Sequence, residues 1–115
     1  MNILIKARGV EVSEVLKEYI ERRIGFAVDR FESRLSTVNV SLSDANGPRG
    51  GEDKVCQLNA EIEGGGAVLI EEAGFTYTTA VDVASRRLQY ALTRRLNRRR
   101  KAVEMALSVG EGTAV

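Results

Sequence analysis

Residues 54–72 read KVCQLNAEIEGGGAVLIEE, and this stretch decides the fold. Its first part alternates. Val55, Gln57, Asn59 and Glu61 face one way, and Cys56, Leu58, Ala60 and Ile62 face the other. The second set makes the better core face, leaving Asn59 and Glu61 to line a solvated face. The run Gly64-Gly65-Gly66 signals a tight hairpin, and residues 67–72 return as the next strand. Two strands alone cannot bury such a face, so the flanking chain must supply further layers.

Upstream, residues 37–42 alternate strictly, with Val38, Val40 and Leu42 on one side. Between them and the hairpin, residues 43–53 (SDANGPRGGED) form a turn-rich loop with the chain's one proline. Residues 2–7 form a first strand, with Ile3 and Ile5 opposite Leu4 and Lys6, ended by Gly9. Ser13 reads as a helix N-cap, and Glu14 suits the positive end of the helix dipole. Leu16, Ile20, Ile24, Ala27, Phe31 and Leu35 then recur at spacings of 4, 4, 3, 4 and 4, one helical stripe. Gly25 inside it costs about 1 kcal/mol relative to alanine and permits a close contact or a bend.

Downstream, from about Thr78, the period returns to 3.6. Val81, Ala84, Leu88, Ala91, Leu92 and Leu96 form a second stripe. From about Val103 small residues and glycines predict a frayed tail with no helix of useful length. The order is therefore β-α-β-β-β-α. It predicts an α+β fold: a four-stranded, mainly antiparallel sheet with two helices packed on one face. One domain over residues 1–101 and a tail over 102–115 are expected, with no repeat and no second domain.

The composition narrows the chemistry. The chain has 115 residues, 43% of them apolar and 29% charged, which suits a folded domain with its own core. The longest apolar run is residues 67–70, far short of the roughly 20 residues of a membrane helix. No secretory signal pattern opens the sequence. There is no histidine, which excludes a Ser-His-Asp or Cys-His pair and a histidine-based zinc site. The one cysteine, Cys56, excludes an internal disulfide and reads as a buried, inert thiol. Asp44, Glu52 and Asp53 fit no calcium-loop spacing. The segment NGPRGG, with Arg49 at its tip, lacks the ending of a phosphate-binding loop. No enzyme, cofactor or metal site is expected.

The net charge of +1 hides a separation. Residues 86–101, RRLQYALTRRLNRRRK, hold eight basic groups and no acid: Arg86, Arg87, Arg94, Arg95, Arg98, Arg99, Arg100 and Lys101. The other 99 residues hold nine basic and 16 acidic groups, a net of −7. Arg87, Arg94, Arg98 and Lys101 fall within roughly 60° of helical arc, with Tyr90 at the edge. Arg95 and Arg99 point near the apolar stripe and cannot both be buried unpaired, so the helix should overhang the sheet. A solvated helix face normally mixes both signs, whereas this one calls for a polyanion. Arginine favours bidentate phosphate contacts. Lys6, Arg8, Arg22, Arg23 and Arg30 add weaker support, being interleaved with acids.

With these features assembled, the chain resembles the ribosome hibernation promoting factor family, also called ribosome-associated inhibitor A or sigma-54 modulation proteins. The resemblance spans about residues 1–101. It rests on NILIKARGVEVSEVLKEYIERRI, VNVSL and FTYTTAVDVASRRLQYALTRRL, with Tyr77, Ala80, Val81, Asp82, Leu88 and Leu92 in the signature positions. It implies a fold similar to double-stranded RNA-binding domains. It also implies binding to 16S rRNA of the small ribosomal subunit, occlusion of the mRNA and tRNA channel under stress or in stationary phase, and a cytoplasmic location. The basic positions map onto Arg87, Arg94 and Arg95, with Arg98 and Lys101 beyond. No membrane or DNA partner is implied, and the oligomeric state stays open. The loop after the second strand is longer here than in short members, an extra residue precedes Ala80, and Tyr90 and Thr93 stand where the family is often basic. The second, dimerising domain of long members has no room in this chain. Two readings remain beside it: a module for other structured RNA, and a protein-interaction module docking its basic helix on an acidic partner.

Overall fold

The computed structural model describes residues 1–45 and 54–114, with side chains described for residues 1–45 and 54–97. The elements are β1 (Asn2–Ala7), α1 (Glu14–Val28), a 3-10 segment (Asp29–Arg34), β2 (Leu35–Asp44), β3 (Lys54–Ile62), β4 (Ala67–Gly74) and α2 (Tyr77–Ala114). The sheet order is β1-β2-β3-β4. β1 pairs with β2 in parallel, which needs a crossover, and α1 supplies it. The other pairs are antiparallel. The expected architecture is therefore the observed one, with β1 and β4 at opposite edges.

Alternation decides which face is covered. Val38, Val40 and Leu42 on β2, and Cys56, Leu58, Ala60 and Ile62 on β3, are all buried. They pack against Ile20, Ile24 and Val28 of α1 and against Val81, Ala84, Leu88, Leu92 and Leu96 of α2. Both helices thus lie on one face of the sheet. Each fully buried Leu or Ile contributes about 1.5–3 kcal/mol of transfer free energy.

The caps are made as the residue types require. Ser13 Oγ accepts from the Leu16 amide at 3.1 Å, and Thr76 Oγ1 accepts from the Thr79 amide at 3.1 Å. In the β3–β4 hairpin, Gly64, Gly65 and Gly66 all take positive φ, at 88°, 123° and 87°. Ile62 and Gly66 close the turn through a 3.0 Å backbone bond.

Three expectations are corrected. The helical stripe does not run to Leu35. α1 stops at Val28, the 3-10 turn carries Phe31 into the core, and Leu35 opens β2 at 2% exposure. The Asp29 amide bonds to the Phe26 carbonyl, a three-residue step that tightens the helix out of α geometry. Burial of Phe31 and Leu35 mimicked the 3.6 period without requiring it. Gly25 makes no close contact, since a Cβ there would meet nothing within 4 Å, and nothing in the structure explains it. Beyond Val103 the backbone of α2 stays helical to Ala114. Residues 102–107 (AVEMAL) are good helix formers with no proline to stop them, and propensity carries the helix on. Strands β2 and β4 each also extend two residues past their expected ends, to Asp44 and Gly74.

Candidate nucleic-acid interface

The basic residues of α2 divide according to their neighbours. Arg86, Tyr90 and Arg94, four residues apart, stand exposed on the outer side. Arg94 holds its guanidinium 5.8 Å from the centre of the Tyr90 ring. Arg87 turns toward β4 and forms an ion pair with Glu72, while its own side chain stays 63% exposed. Together with Ile70, Val83 and Ala91, these four line an open cleft of about 600 Å³ between α2 and the edge strand β4.

Arg95 faces inward, as its position near the apolar stripe demanded. It avoids an unpaired burial by donating from Nη1 to the Ala67 carbonyl at 3.2 Å, across the hairpin. Leu96, 4% exposed, is the last described core residue of α2. The side chains of Arg98, Arg99, Arg100 and Lys101 lie outside the described residues, as do Arg49, Glu52 and Asp53 of the glycine-rich loop.

On α1, Arg22 is exposed. Arg23 pairs with Asp82 of α2 at 3.4 Å. Arg30 donates from Nη2 to Thr93 Oγ1 at 3.2 Å and lies 5.2 Å from the Phe31 ring centre. Arg22, Arg30, Arg86 and Arg94 therefore belong to one helix layer, where the two tie points set α1 beside α2. Lys6 and Arg8 do not join them. Lys6 lines the open face of the sheet with Asn39, Ser41 and Gln57, and both residues border a second hollow with Ser43 at the β1 edge. The mixed sequence neighbourhood of Lys6 and Arg8 gave no sign of which face they occupy.

Asp82 is a structural position that charge counting overlooked. The Tyr19 hydroxyl donates to its carboxylate, and Arg23 sits on the same oxygen. Tyr19 and Arg23 are four residues apart, so both side chains rise from one side of α1. The signal was present in that spacing. The bond to Asp82, then burial, raises the Tyr19 pKa above its ordinary value of 10.0. Phe26 was also missed. It is 75% exposed on α1, four residues from both Arg22 and Arg30.

The remaining chemistry is sparse. Burial pushes the Cys56 thiol up to about 12, which leaves it protonated and unreactive. Among the described residues no group of acidic or cysteine side chains is placed to hold a metal ion. No described helix is long and apolar enough to cross a membrane. What the arrangement can do is grip an anion: four exposed guanidinia, an acid-free run over residues 83–103, and an adjoining cleft.

Comparison with known proteins follows the same line. The family described as sigma 54 modulation protein / S30EA ribosomal protein matches residues 3–100. A solved ribosomal subunit interface protein from Coxiella burnetii superimposes with a TM-score of 0.71 at 17% identity, over 84% of this chain and 99% of that one. The N-terminal domain of Protein Y from Thermus thermophilus gives 0.68 at 25% identity, over 82% of this chain and 98% of that one. Curated protein sequences give no match.

Proposed function

The chain belongs to the sigma 54 modulation protein / S30EA ribosomal protein family, and from that premise we propose that it is a ribosome-associated translation inhibitor of the hibernation type. In this reading it binds 16S rRNA of the small subunit in the cytoplasm and occludes the mRNA and tRNA channel under stress or in stationary phase. The observation that carries the reading is the acid-free run over residues 83–103 of α2, with Arg86 and Arg94 exposed, and with Arg22 of α1 and Arg30 of the 3-10 turn exposed on the neighbouring element. The solved relatives named for the ribosomal subunit interface and for Protein Y support it.

The mechanism is binding without chemistry. Arginine forks hold rRNA phosphates, and the bulk of the domain excludes other ligands from the same channel. The acidic remainder of the chain opposes loose contact with arbitrary nucleic acid. Four phosphate contacts would make affinity fall about 100-fold between about 50 and 200 mM salt.

Co-sedimentation with purified 30S and 70S particles tests this. The protein should pellet with both at low salt and be released as salt rises. A protein that stays in the supernatant at low salt refutes the reading. Competition by a generic duplex RNA separates ribosome binding from general RNA binding: efficient displacement by the duplex favours the latter.

A further inference from the structure

Two aromatic rings sit in the open on the helix layer. Phe26 is 75% exposed and Tyr90 67%. A third open ring, Phe75 at 66%, lies in the turn between β4 and α2, off both helices, whereas Phe31 is 8% exposed and Tyr19 and Tyr77 are partly buried against the core. The exposed pair share a setting. Phe26 stands between Arg22 and Arg30, and Tyr90 between Arg86 and Arg94, each at a spacing of four residues. On α2 such spacing puts all three side chains on one side of the helix, the two arginines about 12 Å apart along the axis with the ring between; on α1 it joins Arg22 and Phe26, and Arg30 follows in the 3-10 turn after Val28.

The two stripes lie on neighbouring helices of one layer, that of α2 bordering its cleft with β4. α1 is tied to α2 by Arg23 to Asp82 at 3.4 Å, and the 3-10 turn that follows it by Arg30 to Thr93 at 3.2 Å. Phe26 lies between those ties on α1, and Arg86 and Tyr90 lie between them on α2. The helix layer thus presents two ring faces within a field of guanidinia.

That pattern selects among ligands. A protein-docking patch would gather apolar side chains into a broad continuous surface, whereas the rings here have arginines as neighbours, and the apolar lining beside Tyr90 is confined to Ile70, Val83 and Ala91. Duplex RNA offers phosphates to the arginines and nothing to the rings, because its base faces are already stacked on one another. Single-stranded RNA offers both, a phosphate chain and unstacked base faces. We propose that Phe26 and Tyr90 are stacking platforms for unpaired nucleobases, and that this face selects RNA with extruded or single-stranded bases over continuous duplex. This deepens the rRNA reading above and rests on it for the biological source of the strand.

The test uses the full chain with two defined probes of equal phosphate number, a single-stranded oligoribonucleotide and a blunt duplex. Phe26→Ala and Tyr90→Ala should each weaken single-strand binding by roughly 5- to 150-fold. Duplex binding should stay within twofold, and the slope of affinity against salt should not change, since no phosphate contact is lost. Tyr90→Trp should restore binding. It also introduces the chain's one tryptophan, whose fluorescence should be quenched by the single strand and not by the duplex. Both rings are exposed, so the variants should fold, and circular dichroism checks that they do. Equal loss on both probes, no loss on either, or a wild type that binds neither probe overturns the proposal. Capture of a protein instead of RNA by this face, lost in Phe26→Ala, overturns it as well. Ribosome pelleting of the wild type is scored separately. If it fails while single-strand selectivity holds, the ribosomal reading falls and the stacking site stands.

Discussion

The Tyr19 hydroxyl of α1 donates to the Asp82 carboxylate of α2, with Arg23 3.4 Å from the same oxygen. This clasp joins the two helices that carry the exposed arginines, so it sets the spacing of the interface as well as the packing of the core. Tyr19→Phe should cost about 1.5–3 kcal/mol, the range for a bond to a charged acceptor. Urea denaturation at neutral pH measures it.

The same bond gives a pH signature. The folded pKa of Tyr19 lies above the ordinary 10.0, so the stabilisation is fully present below pH 10 and is lost as pH rises through the folded value. Stability measured from neutral pH upward should therefore fall beyond pH 10. That fall should be shallower in Tyr19→Phe. Parallel curves for the two proteins would show that Tyr19 is not the titrating group.

Cys56 should be inert in the folded state. Its thiol is completely buried and pushed up to about 12 from an ordinary 9.0. A thiol reagent at about pH 8 should react at a rate that tracks unfolding, rising steeply with denaturant. Fast, stoichiometric labelling in buffer would contradict the burial.

Gly66 tests the hairpin. Its φ is +87°, and an added Cβ would come within 2.6 Å of Arg95 Nη2. Gly66→Ala should cost about 1–2 kcal/mol from the left-handed backbone alone. Removing the obstacle in the double variant with Arg95→Ala should not recover that backbone cost. Chemical denaturation of the two variants separates the contributions.

Glu72 holds Arg87 in an ion pair beside the cleft, with Arg87 largely exposed. Glu72→Gln should change stability by less than about 1 kcal/mol. It should strengthen RNA binding and steepen its salt dependence by about 0.7–0.9 of a unit, one more cation being free to meet a phosphate. Filter binding at several salt concentrations reads both effects.

Ser85 is fully buried on α2, and its Oγ has no partner among the described residues. Ser85→Ala should leave stability unchanged or raise it by about 1–3 kcal/mol, because the lost hydroxyl carries a desolvation cost. A drop of that size in thermal denaturation would mean that the hydroxyl is satisfied in solution.

Much of this was legible before any coordinates. Val38, Val40 and Leu42, and the set Cys56 to Ile62, reveal the covered face because strand side chains alternate strictly. The stripe from Val81 to Leu96 reveals the buried side of α2 for the same reason at period 3.6. Phe31 and Leu35 mislead because burial at four-residue intervals also suits a 3-10 turn followed by a strand. The basic residues are visible as a cluster, yet their roles are not. Arg95 and Arg94 are neighbours in sequence, and one bonds inward to Ala67 while the other stands over Tyr90.

By itself the sequence determined the order of elements, the faces they bury and the concentration of cationic charge on the last helix. These follow from local periodicity and composition, which a linear reading contains. The tertiary structure alone decided which cations are free. Arg23, Arg87 and Arg95 meet partners 59, 15 and 28 residues away, and Lys6 lies on the opposite face of the sheet. It also placed Phe26 and Tyr90 between the same two interhelical ties. A charge pairs with whatever the fold brings near it, and that distance is a property of packing, not of spacing along the chain.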